Sequence, residues 1–181
     1  MEKNDRVKIQ DNFLPLEEFT TLRDFIMNET FPWFFNIATV DYEILEKAKP
    51  HITKVTEPEK AHPGLFTHTV YHHGIPLSDF YYRFSPILER MNVEVLTRIK
   101  VNLQTRLPEP DFATFHTDIL NKETSSAGWT TSILYMNTNN GYTEIENGEE
   151  DTRVESVANR LVSFPINIEH RGVSQTDEQT R

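Results

Sequence analysis

RVESVANRLVSFPINIEHRGVSQ, residues 153–175, decides the class of fold. Its valine, isoleucine, leucine and phenylalanine come in short runs broken by Asn159, Pro165 and Gly172, the pattern of short strands separated by turns. Working outward, RIKVNLQTR (98–106), GWTTSILYMN (128–137) and GYTEIENG (141–148) have the same texture. Residues 97–181 therefore read as an antiparallel β core of sandwich or barrel type.

Upstream of residue 97 the periodicity changes. From Pro15, the residues Leu16, Phe19, Leu22, Phe25 and Ile26 share one helical face, which predicts a helix with Pro15 near its first turn. A second helical region is expected near Ser78, a candidate N-cap, and Pro86 would open a separate helix. Phe84, Ile87, Leu88 and Met91 would form its buried stripe. RVKIQDNF (6–13), FPWFFNIATV (31–40) and LFTHTVYHH (65–73) read as strands, and HITKVTEPEKAHPG (51–64) as a loop. The expectation is one α+β domain over 1–181, with 1–96 mainly helical support and loops around the core at 97–181.

A chain of 181 residues with 37% hydrophobic and 11% aromatic content can close a core of its own. A formal charge of −10 without any Lys/Arg block argues against a nucleic-acid partner. No apolar run reaches membrane-span length, and MEKNDRVKIQ lacks the apolar segment of a signal peptide, so a cytoplasmic location without membrane contact is expected. With no cysteine there are no disulfides, thiolate ligands or cysteine nucleophile. Gly-x-Ser-x-Gly, His-Glu-x-x-His and phosphate-loop motifs are also absent.

FHTDILNK (115–122) carries the candidate chemistry. In a strand His116 and Asp118 point to one side, so two ligand atoms can aim at one point. His170 can supply a third from another strand. That order, His-x-Asp and then a distant His, is the order of a two-His-one-carboxylate triad, which holds Fe(II) on one face and leaves positions open. Taken singly, each residue has an ordinary alternative: a lone His beside a barrel mouth is often structural, and Asp118 could cap a turn. His68, His72 and His73, with His62 nearby, form a second cluster. In a strand His68 and His72 would share a face, but no carboxylate lies near them in sequence, and they read as a solvated or substrate-facing strand.

Four pieces, HTD at 116–118, SILYMN with Tyr135, NGYTEI at 140–145 and NRLVSFPINIEHRGV with His170, resemble the 2-oxoglutarate and Fe(II)-dependent oxygenases, close to their prolyl-4-hydroxylase-like branch. QDNFLPLEEFTTLRDFI followed by FPWFF is similar, more loosely, to the helical support of small marine-phage-type members. The resemblance implies a double-stranded β-helix, a jelly-roll or cupin-like barrel with N-terminal supporting helices. It implies Fe(II) on His116, Asp118 and His170, and 2-oxoglutarate and O2 as cosubstrates. Tyr135 would help to hold the far carboxylate of 2-oxoglutarate, and Arg181 would clamp it, since a guanidinium can make two parallel hydrogen bonds. The family's strand continues past this Arg, so the last strand is expected to be cut short here. NGYTEI has Tyr142 and Thr143 where many members have a second Gly and an acidic or small residue, which alters the pocket wall.

Strand 98–106 often contributes a polar contact to 2-oxoglutarate in this family. Alternation puts Ile99, Val101, Leu103 and Thr105 on one side and Lys100, Asn102 and Gln104 on the other, without saying which side faces inward. Asn102 is the candidate, and a surface-facing Asn102 is the alternative. The implied reaction converts 2-oxoglutarate to succinate and CO2 while hydroxylating an unactivated C–H bond of a prolyl or other peptidyl residue, or of a small molecule. The loop at 51–64 and the segment 119–128 would flank the mouth of the barrel. Two other function classes fit the same barrel: a non-enzymatic cupin-like metal- or ligand-binding module, and a hydrolase or isomerase using a different metal.

Overall fold

The computed structural model describes residues 6–36, 65–118, 128–148 and 150–181. The loop expected at 51–64, the last four residues of the strand expected at 31–40 and most of segment 119–128 lie outside the described residues. What is described is mostly sheet with few helices. No described helix is long and apolar enough to cross a membrane.

Strand β1 (Lys8–Gln10) lies on the edge of a sheet and pairs antiparallel with β9 (Leu161–Pro165), which pairs in turn with β6 (Thr130–Leu134). A second sheet runs β10 (His170–Val173), β7 (Tyr142–Ile145), β8 (Thr152–Glu155). Isolated bridges from Phe112 to Val173 and from His116 to His170 lay segment 112–116 along the free side of β10. In the third sheet β3 (Leu65–His72) pairs with β5 (Arg98–Leu103) over nearly its whole length. β2 (Phe34–Asn36) and β4 (Ile75–Pro76) share the other edge of β3. Sheet therefore shares the supporting role with helix in the N-terminal half. A bridge between Thr105 and Thr180 joins the end of β5 to the C-terminal residues.

Helix α1 (Leu16–Ile26) begins after Pro15, whose ring fixes φ near the helical value, and Glu17 and Glu18 complement the positive end of its dipole. Phe19, Leu22 and Ile26 are buried. Leu16, expected on the buried stripe, is 78% exposed, because it falls roughly 90° round the helix from the centre of that stripe. Ser78 lies in the turn ahead of the second helical region, its hydroxyl accepting from the Phe80 N–H; Phe80, not Ser78, is the N-cap. A 3-10 turn at Tyr81–Phe84 leads into α2 (Ser85–Arg90), with Pro86 in the first turn where its missing N–H costs nothing.

Alternation along β9 separates two cores. Leu161 packs with Phe19, Leu22, Val70 and Val101 beneath the helices. Val162 and Phe164 point the other way, onto Tyr135, Ile145 and Val154.

Asn159 ties the N-terminal segment to β9. It is buried with φ +62°, its Oδ1 accepts from the Leu14 N–H at 2.9 Å, and its Nδ2 donates to the Leu14 carbonyl at 2.8 Å. Asn159→Ala removes both bonds and leaves a side chain that disfavours positive φ, an expected loss of about 3 kcal/mol. Asn159→Gly relieves only the backbone term and should recover about 1 kcal/mol of it, which urea unfolding midpoints will measure.

Candidate metal centre

His116 and His170 occupy one rung of an antiparallel ladder. Each N–H donates to the other's carbonyl, at 3.0 and 2.9 Å, so both side chains leave the same face. Their ring centroids are 4.6 Å apart. The His116 Nδ1–H donates to the Thr114 carbonyl at 3.0 Å and the His170 Nδ1–H to the Ile168 carbonyl at 3.4 Å. A carbonyl can only accept, so both rings are fixed in the tautomer that leaves the Nε2 lone pair free.

Asp118 follows two residues after His116, and one oxygen lies 3.8 Å from the His170 Nε2. Ligand atoms of His116, Asp118 and His170 all fall within 4.8 Å of one another. Asp118 Oδ2 accepts from the Thr131 hydroxyl at 2.7 Å, and Oδ1 from the Arg98 guanidinium at 2.6 Å. Two imidazoles and one carboxylate on a common face form a donor set that fits Fe(II) and similar divalent ions.

The electrostatics suit metal capture at neutral pH. Burial, reinforced by the nearby His116, holds the His170 pKa down at about 4 against the pull of Asp118, so its Nε2 carries no proton. Burial pushes the Asp118 carboxyl up, but the Thr131 hydroxyl and the Arg98 guanidinium favour its ionised form, and its pKa lies below the ordinary carboxylate value. A stability consequence follows for metal-free protein. His170 titrates near 6.5 when unfolded and at about 4 when folded. Between those values only the unfolded chain takes up the proton, so stability is full above 6.5 and falls as pH drops toward 4. The loss amounts to about 3 kcal/mol. Urea unfolding of His170→Gln, followed across that window, should lack this part of the acid sensitivity.

A second cluster surrounds Arg181. Backbone bonds in both directions with Gln104, 2.9 Å each, hold it against the end of β5. Its guanidinium donates to the Val173 carbonyl at 3.0 Å and the Thr143 hydroxyl at 3.3 Å, and lies 5.7 Å from the Tyr135 ring centroid. Tyr135 OH donates to the same Thr143 hydroxyl at 2.7 Å. Gly141 lets the neighbouring strands close here, since a Cβ there would meet the Val173 carbonyl at 2.9 Å.

Asn102 does not join either cluster: it is exposed on β5, opposite Thr67. Arg98 and Lys100 share its face, while Ile99 and Val101 pack beneath the helices. Because Arg98 reaches Asp118, the polar set is the one on the metal side. Arg98, Thr131 and Thr143 were not picked from the sequence. The alternation through Lys100 and Asn102 would have placed Arg98, and Thr143 was visible only as an altered pocket wall.

The second histidine cluster breaks apart. A register shift between Thr69 and Tyr71 makes Val70 a bulge, so His68 pairs with core-facing Val101 and His72 with Arg98 on the metal side. They do not share a face, contrary to simple alternation. His68 is buried among the Phe31, Phe34 and Phe80 rings, its Nδ1 on the Pro32 carbonyl. His73 and Gly74, both at positive φ, form the tight turn between β3 and β4.

No model of a protein family matches this sequence. No curated protein matches it either. Solved structures do share its fold. An oxidoreductase of the 2OG-Fe(II) oxygenase family from Burkholderia pseudomallei is similar with a TM-score of 0.62 at 8% identity, over 99% of this chain and 83% of that one. A prolyl-4-hydroxylase from Pseudomonas putida is similar with a TM-score of 0.55 at 15% identity, over 98% of this chain and 89% of that one. The chain thus has the fold of the 2-oxoglutarate and Fe(II)-dependent oxygenases. A solved prolyl-4-hydroxylase is among the structures that share this fold.

Proposed function

We propose that this protein is an Fe(II)- and 2-oxoglutarate-dependent dioxygenase that hydroxylates an unactivated C–H bond and releases succinate and CO2. The observation that carries the reading is the convergence of His116, Asp118 and His170 on one point, in a fold shared with such oxygenases. The bound iron and 2-oxoglutarate would supply the oxidising chemistry. The chain's own residues do the rest. The rung at His116 and His170 presents two imidazole lone pairs without reorganisation, and Arg98 and Thr131 orient the Asp118 carboxylate. Arg181 would clamp the far carboxylate of 2-oxoglutarate, with the Tyr135 and Thr143 hydroxyls beside it as further hydrogen-bond partners.

The strand pairings suit a closed double-stranded β-helix, with segment 112–116, β10, β7 and β8 as one side. An open groove of about 560 Å³ includes Tyr71, Glu94, Thr97 and Trp129 in its walls.

Anaerobic titration of Fe(II) and 2-oxoglutarate should give a visible metal-to-ligand charge-transfer band that His116→Ala lacks. Admission of O2 should then yield succinate only when Fe(II) is present. A band without succinate would point to a ligand-binding module, and no band would reject the reading.

A further inference from the structure

We propose that the substrate carries an anionic group, a carboxylate or phosphate, held by the Lys100 ammonium beside the metal centre. The proposal deepens the oxygenase reading and rests on it.

The metal-side face of the β3–β5 ladder is built from Thr67, Thr69 and His72 on β3 and Arg98, Lys100 and Asn102 on β5. That face contains cations and neutral polar groups but no acid of its own. Among the described residues Asp118 is the acid within reach, and Arg98 holds it at 2.6 Å. Lys100 makes no salt bridge among the described residues. Lys100 is itself exposed on the strand; partial loss of hydration and then the neighbouring Arg98 hold its pKa below the ordinary lysine value, with Asp118 pulling the other way. Being exposed, its ammonium is open to an incoming anion. With Arg98 paired to Asp118, Lys100 is left as the cation of this face without a salt bridge among the described residues, in a chain that carries −10. A positive charge there favours acidic ligands over basic ones.

Two sources of the anion must be separated, the substrate and the cosubstrate. Arg181 lies beside Tyr135, apart from Lys100 on β5, and supplies the clamp that a cosubstrate carboxylate needs. Lysine acetylation read by mass spectrometry tests this, with inorganic phosphate as the probe and Lys8, exposed on β1, as the internal reference. With Mn(II) and saturating 2-oxoglutarate present, phosphate should slow acetylation of Lys100 about fivefold or more while Lys8 is unaffected. Mn(II) and 2-oxoglutarate alone should leave Lys100 reactive. No selective protection by phosphate overturns the proposal, as does full protection by 2-oxoglutarate before phosphate is added. Failure of the iron reading shows separately, as Mn(II) uptake that His116→Ala does not diminish. The phosphate footprint can still be read on the metal-free protein.

Discussion

Asp118→Asn is expected to abolish the Fe(II)-2-oxoglutarate charge-transfer band and reduce iron-dependent succinate release by at least about 100-fold. Groups that merely orient a metal ligand are typically worth 10–100-fold in affinity or activity, and removing the ligand's own charge should exceed that. The substitution is close to isosteric, so the fold should survive. The amide keeps an acceptor for Arg98 or for Thr131, which now bind the carboxylate at 2.6 and 2.7 Å. What disappears is the negative charge opposite the His170 Nε2. Unchanged thermal unfolding with no band would locate the loss at the metal centre, whereas a retained band would sink the assignment of Asp118. Arg98→Gln is the milder companion, because it frees the carboxylate without neutralising it.

Arg181→Met should leave Fe(II) binding in the absence of cosubstrate unchanged but weaken 2-oxoglutarate by roughly 100-fold. Truncating one partner of a buried, hydrogen-bonded charge pair costs about 2–5 kcal/mol, and roughly 100-fold lies inside that range. Arg181→Lys keeps the charge but loses the planar fork, so its affinity should fall between the two. Titrating 2-oxoglutarate into each iron-loaded variant measures the series. Equal affinity in all three would remove Arg181 from the clamp.

The parts of the site legible in the sequence were those fixed by type and order. His116, Asp118 and His170 were picked by type and order, and the fold brings their ligand atoms together; Arg181 was picked through the family resemblance. Helix α1 and the break at Pro86 were legible because a 3.6-residue period and a missing N–H act locally. What stayed hidden depends on partners. Period two sorts Lys100 and Asn102 from Ile99 and Val101, but the face they take is set by the helical core packed on the other side. The bulge at Val70 has no local signature either, and it reversed the expected relation of His68 and His72. Leu16 failed for a simpler reason: at the edge of an apolar arc, burial depends on what packs alongside.

The rung that seats His116 opposite His170 also bears on the order of events in folding. Its two halves lie far apart in sequence, so the loop between them must close before the rung forms, and such long-range pairings are slow to be rewarded. Where that closure comes late, the seat is complete only late on the path. Metal that binds it stabilises the native state by mass action but has little hold on the transition state. Iron would act as a brake on unfolding, with little influence on how fast the chain folds.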